Sequence, residues 1–153
     1  MAVAVTGRRV AYVLFRGRRP LRWDCSEKAV RSPKAAESFV RLQIANHDPD
    51  IVVSEDAATN PHKGPRVKRL LRKVAQTISD EPVTGLQLKK RRLHANKYLT
   101  ARSLSERFPE MGDFLPKSRK FYEREHARVA FIEALILALE VIDGSQSKNI
   151  RST

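Results

Sequence analysis

The sequence predicts an α/β domain: a mixed five-stranded sheet, its first three strands antiparallel, flanked by helices. Three observations carry that prediction. Residues 2–26 read as three short strands joined by tight turns. Ile51-Val52-Val53-Ser54 is an apolar, β-branched run between the turn signals Asp48-Pro49-Asp50 and Asn60-Pro61, which reads as a short buried strand. Segments of helical apolar spacing then alternate with strand-like segments, the pattern of helices layered on a sheet.

The elements follow in order. Ala2–Val5 is strand-like, and Thr6-Gly7-Arg8 supplies a turn. Val10–Phe15 is rich in β-branched and aromatic residues. A second turn at Arg16-Gly17-Arg18-Arg19-Pro20 leads to Leu21–Cys25, which alternates apolar with polar. Connections this short imply antiparallel neighbours. Ser32-Pro33 opens a helix, with serine as cap and proline in the first turn. Ala36, Phe39, Val40, Gln43 and Ile44 follow it at roughly helical spacing. Gly64-Pro65 precedes a second helix over about residues 66–79, and residues 83–88 form a fifth strand candidate. A third helical stretch covers about residues 94–108. The last helix is expected from about Ser118 to Ile142, apolar almost all round between Val129 and Leu139 and therefore buried. Residues 1–142 form one domain, and residues 143–153 read as a polar, disordered tail.

Composition bounds the function. The chain has 153 residues, enough for one domain with a real core. No apolar run reaches the roughly 18 residues of a membrane span. A single cysteine, Cys25, excludes a disulfide framework and a cysteine-based zinc site, and points to a reducing cytoplasm. Thirty Lys and Arg against 17 Asp and Glu give a net charge of +13. Charge of this sign attracts polyanions, with nucleic acid as the expected partner. The basic residues cluster: Pro65–Arg102 holds 11 Lys or Arg and two acids, Asp80 and Glu81. Within it, Arg69, Arg72 and the tetrad Lys89-Lys90-Arg91-Arg92 are the candidate phosphate contacts.

Two carboxylates stand out. Glu55 ends the buried strand, at the strand edge where α/β sheets gather ligands. Glu133 is the one carboxylate inside the apolar run of the last helix, where an ionised group must pair or bind metal. It pairs with an arginine such as Arg41 or Arg128, lies on an exposed edge, or meets Glu55 at a metal. Clustered carboxylates suit Mg²⁺ or Mn²⁺. His126 shares a helix face with Glu133 two turns earlier and is a candidate further ligand or proton-transfer group. The four histidines share no metal-ligand spacing, and no glycine-rich phosphate loop is present.

The element order, Ile51-Val52-Val53-Ser54-Glu55 and Glu133-Ala134-Leu135-Ile136-Leu137-Ala138 resemble the ribonuclease H-like fold, and within it the RuvC-type Holliday junction resolvases. The resemblance implies a divalent-metal-dependent endodeoxyribonuclease acting on branched DNA, with Glu55 and Glu133 as metal ligands and a homodimer as the assembly. The sequence departs from the family at its first strand. The family's first Asp falls at Thr6, and the acid one turn before Glu133 falls at Ala130. The rival expectation is therefore a catalytically degenerate member that binds DNA or RNA without cleaving it. A structural protein of a ribonucleoprotein is a third.

Overall fold

In the computed structural model, residues 1–90, 97–115 and 125–151 are described. Five strands form one sheet: β1 (Ala2–Val5), β2 (Val10–Arg16), β3 (Arg19–Ser26), β4 (Ile51–Glu55) and β5 (Thr84–Leu88). Their order is β3-β2-β1-β4-β5. The first three are antiparallel neighbours, and β4 runs parallel to β1 and β5. This is the mixed sheet that the sequence predicts.

Local chemistry explains the turns. The Thr6 hydroxyl accepts from the Arg8 and Arg9 backbone N–H groups at 3.2 and 3.0 Å, closing the β1–β2 turn. Gly17 sits at φ 62°, the left-handed conformation that the β2–β3 turn needs and glycine adopts without penalty. Pro20 is tolerated because β3 is an edge strand.

Among the described residues, four helices flank the sheet: α1 (Pro33–His47), α2 (Pro65–Ser79), α3 (Lys97–Arg107) and α4 (Glu125–Arg151). The Ser32 hydroxyl caps α1 by accepting from the Ala35 N–H at 3.0 Å. Asp48, in the left-handed region at φ 44°, ends it. The α4 helix runs on to Arg151, past Ile142, where the apolar pattern stops and a disordered tail was expected.

The period of two along each strand sorts residues into two cores. Val3, Val5, Val10, Tyr12 and Val52 face α1 and α2. Ala2, Ala4, Ala11, Val13 and Val53 face α3 and α4. The second core is lined with small residues where the long helix crosses the sheet. Ala2, Ala4 and Ala11 share a buried cluster with Ala130, Ala134 and Ala138 of α4. With so little side-chain bulk between them, helix and strands approach closely. Phe108, 1% exposed, fills the periphery, edge-on to Phe15 at 5.5 Å. Among the described residues, no helix is long and apolar enough to cross a membrane.

Candidate functional site

The C-terminal ends of the parallel strands β1 and β4 lie side by side at one edge of the sheet. Glu55 is in phase with Val53, so its side chain turns toward the α4 face. The crossing α4 helix brings Glu133 to the same place, and one ammonium group contacts both carboxylates. The two acids predicted to converge do converge, and both are buried, with Glu55 2% and Glu133 9% exposed in the side chain.

What joins them is Lys63, from the loop between a single 3₁₀ turn (Ala57–Thr59) and α2. Its Nζ lies 3.2 Å from Glu55 Oε2 and 3.2 Å from Glu133 Oε1, and donates to the Val5 carbonyl at 2.7 Å. The ammonium thus makes one hydrogen bond, to the Val5 carbonyl, and two ion pairs. Asn60 Nδ2 donates to Glu55 Oε1 at 2.9 Å, and Lys90 Nζ donates to Glu133 Oε1. Two carboxylates thus face two ammonium groups. Glu133 Oε2 is buried with no hydrogen-bond partner among the described residues.

This donor set does not fit a divalent ion. A metal bound by carboxylates needs uncompensated negative charge and an open position. Here the point between the two acids is taken by a bound cation. At the end of β1, Thr6 offers a hydroxyl already engaged by its own turn. Asp56 accepts from the Ala58 N–H at 3.0 Å, and Asp24 accepts from the Cys25 N–H at 2.8 Å. No group of three or more potential metal-ligating His, Cys, Asp or Glu side chains occurs among the described residues.

The sequence-predicted contacts divide. Arg69 and Arg72 are exposed on α2, and Lys89 is exposed after β5. Lys90 is turned inward onto Glu133. Arg91 and Arg92 lie outside the described residues. So does the side chain of His126, whose backbone sits in the first turn of α4. Of the two arginines offered for Glu133, Arg41 instead pairs with Glu37 at 3.0 Å and Glu81 at 3.5 Å, and the side chain of Arg128 lies outside the described residues; among the described residues two lysines stand at Glu133. Arg66 is structural, with its guanidinium donating to the Gly7 and Val30 carbonyls at 3.0 and 2.7 Å. Cys25 is a free, half-buried thiol. Burial, aided by Asp24 and opposed by Arg9, pushes its thiol up, so little thiolate forms at neutral pH. Lys63 is the residue sequence reasoning missed. Its partners are distant in the chain, and nothing local distinguishes it from the other basic residues.

No family model matches the sequence, and no curated protein matches it either. Solved structures do. The crystal structure of the fowlpox virus Holliday junction resolvase superposes with a TM-score of 0.61 at 12% identity, covering 94% of this chain and 98% of that one. The Thermus thermophilus RuvC structure gives a TM-score of 0.58 at 14% identity, covering 94% and 96%. The likeness is one of fold, over 94% of this chain in both cases.

Proposed function

We propose that this chain, built on the RuvC-type ribonuclease H-like fold, binds branched DNA and holds it without cleaving it. The observation that carries this reading is the Lys63 ammonium seated between Glu55 and Glu133. A two-metal nuclease needs those carboxylates free to hold ions that activate water and stabilise the leaving oxygen. Here they are spent on an internal cation. The binding half of the reading is supported by the net charge of +13 and the exposed arginines of α2, together with a fold whose similar structures are described as Holliday junction resolvases. A homodimer would supply the two-fold symmetry that a four-way junction presents.

The test is a binding titration with a four-way junction, a linear duplex and an RNA duplex of matched length, all in EDTA. The junction is expected to bind tightest. The logarithm of its affinity should fall linearly with the logarithm of salt concentration, at about 0.9 per phosphate neutralised. Arg69→Ala with Arg72→Ala should flatten that slope by about 1–2. Incubation with Mg²⁺ or Mn²⁺ should leave every substrate uncut. Junction cleavage that disappears in Glu55→Gln would restore the endonuclease reading and overturn this one.

A further inference from the structure

We infer that the polar cavity between α2 and the β5 edge is a second ligand site, one that takes a single adenine nucleotide with its base inside and its phosphate outside. This goes beyond the DNA-binding reading above and does not rest on it.

The cavity measures about 230 Å³ and lies on the sheet face turned away from Glu133. Ser54 is in phase with Val52, which belongs to the α1–α2 core, so its side chain turns toward α2. Ser54 lines the cavity and is 0% exposed, and its Oγ has no hydrogen-bond partner among the described residues. Buried hydroxyls are nearly always bonded, so an orphan at a cavity wall marks the place of a ligand. Gln87 is the register partner of Ser54 on β5, and it shares a sheet face with Gly85, which abuts Ile78 of α2. Ser79, the last residue of α2, adds a second hydroxyl to the lining. Neither Gln87 nor Ser79 has a side-chain hydrogen bond among the described residues. Three polar side chains with donors and acceptors to spare therefore line one space.

Size and lining select the ligand. The volume of 230 Å³ is a little below the roughly 300 Å³ at which drug-sized sites begin, so the occupant is compact. Ala75, Ile78 and Val83 offer apolar contact for the faces of a flat ring. The outer edge of β5 has no further strand beside it among the described residues, so its main-chain N–H and C=O groups add to the polar rim. A flat ring with alternating donors and acceptors matches this lining. Glutamine pairs with adenine through two hydrogen bonds, donating to one ring nitrogen and accepting from the amino group.

The phosphate position follows from the charges at the two mouths. The α2 helix joins the parallel strands β4 and β5 and so runs antiparallel to both. Arg72, Ala75 and Ser79 lie on one stripe of α2. Arg72 and Lys89, which follows β5, are both exposed and stand toward the C-terminal end of the strand. The opposite mouth has the C-terminal carbonyls of α2 and Asp80, which disfavour an anion. An adenine seated against Ser54 and Gln87 thus directs its phosphate to Arg72 and Lys89.

The experiment titrates the full chain with adenosine and with the monophosphates of adenosine, guanosine, cytidine and thymidine, in EDTA, by isothermal calorimetry. Adenosine monophosphate should bind one to one and tightest of the four. Adenosine should bind more weakly, and added salt should narrow the gap between the two. Gln87→Leu and Ser54→Val should each weaken adenosine monophosphate about tenfold. Ser54→Val breaks no hydrogen bond within the described residues and should keep its melting temperature, and Gln87→Leu changes an exposed side chain. Backbone amide resonances of Gly85 and Gln87 should shift on titration, while that of Thr6 should not. A duplex with one unpaired adenine is compared with the same duplex carrying an abasic residue. A preference for the first that Gln87→Leu removes assigns the site to a base within a strand. Mononucleotide binding without that preference assigns it to a free nucleotide. No mononucleotide binding together with no such preference would overturn the inference, as would a stronger affinity for another base. Binding that Gln87→Leu and Ser54→Val both leave unchanged would overturn it too. Junction binding in EDTA by the wild-type protein is read separately, and its loss would sink the proposed function without touching the nucleotide result.

Discussion

Lys63→Met deletes one charged nitrogen and keeps a long unbranched side chain in its place. The lost ammonium lies 3.2 Å from Glu55 Oε2 and from Glu133 Oε1 and donates to the Val5 carbonyl. Removing one partner of a buried ion pair costs about 3–5 kcal/mol, because the other charge stays behind without compensation. Lys90 remains on Glu133 and trims that loss, but Glu55, whose side chain is 2% exposed, keeps only the Asn60 amide among the described residues. The expected destabilisation is therefore about 3 kcal/mol. In a urea titration run in EDTA, with a slope of about 2 kcal/mol/M, the midpoint falls by about 1.5 M. Glu55→Gln added to Lys63→Met should return part of the loss, since the uncompensated charge is then gone. The coupling between the two substitutions should be about 1–3 kcal/mol. A midpoint shift below about 0.3 M, or strictly additive effects, would refute the buried-pair reasoning and leave Lys63 as a surface lysine of small energetic weight.

Other expectations follow from the packing. Gly85→Ala places a Cβ 2.8 Å from the Ile78 branch methyl and should cost about 1–3 kcal/mol by chemical denaturation. Combined with Ile78→Ala, the loss should be less than additive, because the clashing methyl is gone. Ser32→Ala removes the hydroxyl that caps α1 and should lower stability by about 1 kcal/mol, with Ser32→Asp close to wild type. Cys25 should react with an aromatic disulfide more slowly than free cysteine at pH 7.5. Its thiol is raised above the ordinary 9.0, so its rate should climb roughly tenfold per pH unit until that value is passed. A fast reaction at neutral pH would contradict the buried environment.

The β-meander, the Ser32 cap and the β4 strand were legible because each is written in neighbouring residues: turn formers, a hydroxyl before proline, a β-branched run. The convergence of Glu55 and Glu133 was legible for a different reason. A carboxylate at a strand end and another inside an apolar helix each demand a partner, and the element order brings the two demands together. The partner itself was not legible. Thirty lysines and arginines offer an abundance of cations, and only the path of the loop after β4 selects Lys63. Arg41, one of the arginines offered as a partner, is held on α1 by Glu37 and reaches Glu81. The six predicted phosphate contacts were chosen on charge alone. Charge does not tell Lys90, folded inward onto Glu133, from its exposed neighbour Lys89.

The alanines between the sheet and α4 act as a gauge. Ala2, Ala4 and Ala11 against Ala130, Ala134 and Ala138 set how far the helix stands off the strands. Glu133 rides on that helix, while Glu55 and Val5 belong to the strands. The gap across which one nitrogen touches both layers is thus set by the methyl groups of this seam. A single larger residue in this seam, such as Ala4→Val, would pry the layers apart by a fraction of an ångström, and the acids would part with them. Whether the cleft grips a cation is decided by the thickness of the hydrophobic layer beneath it as much as by the charges above.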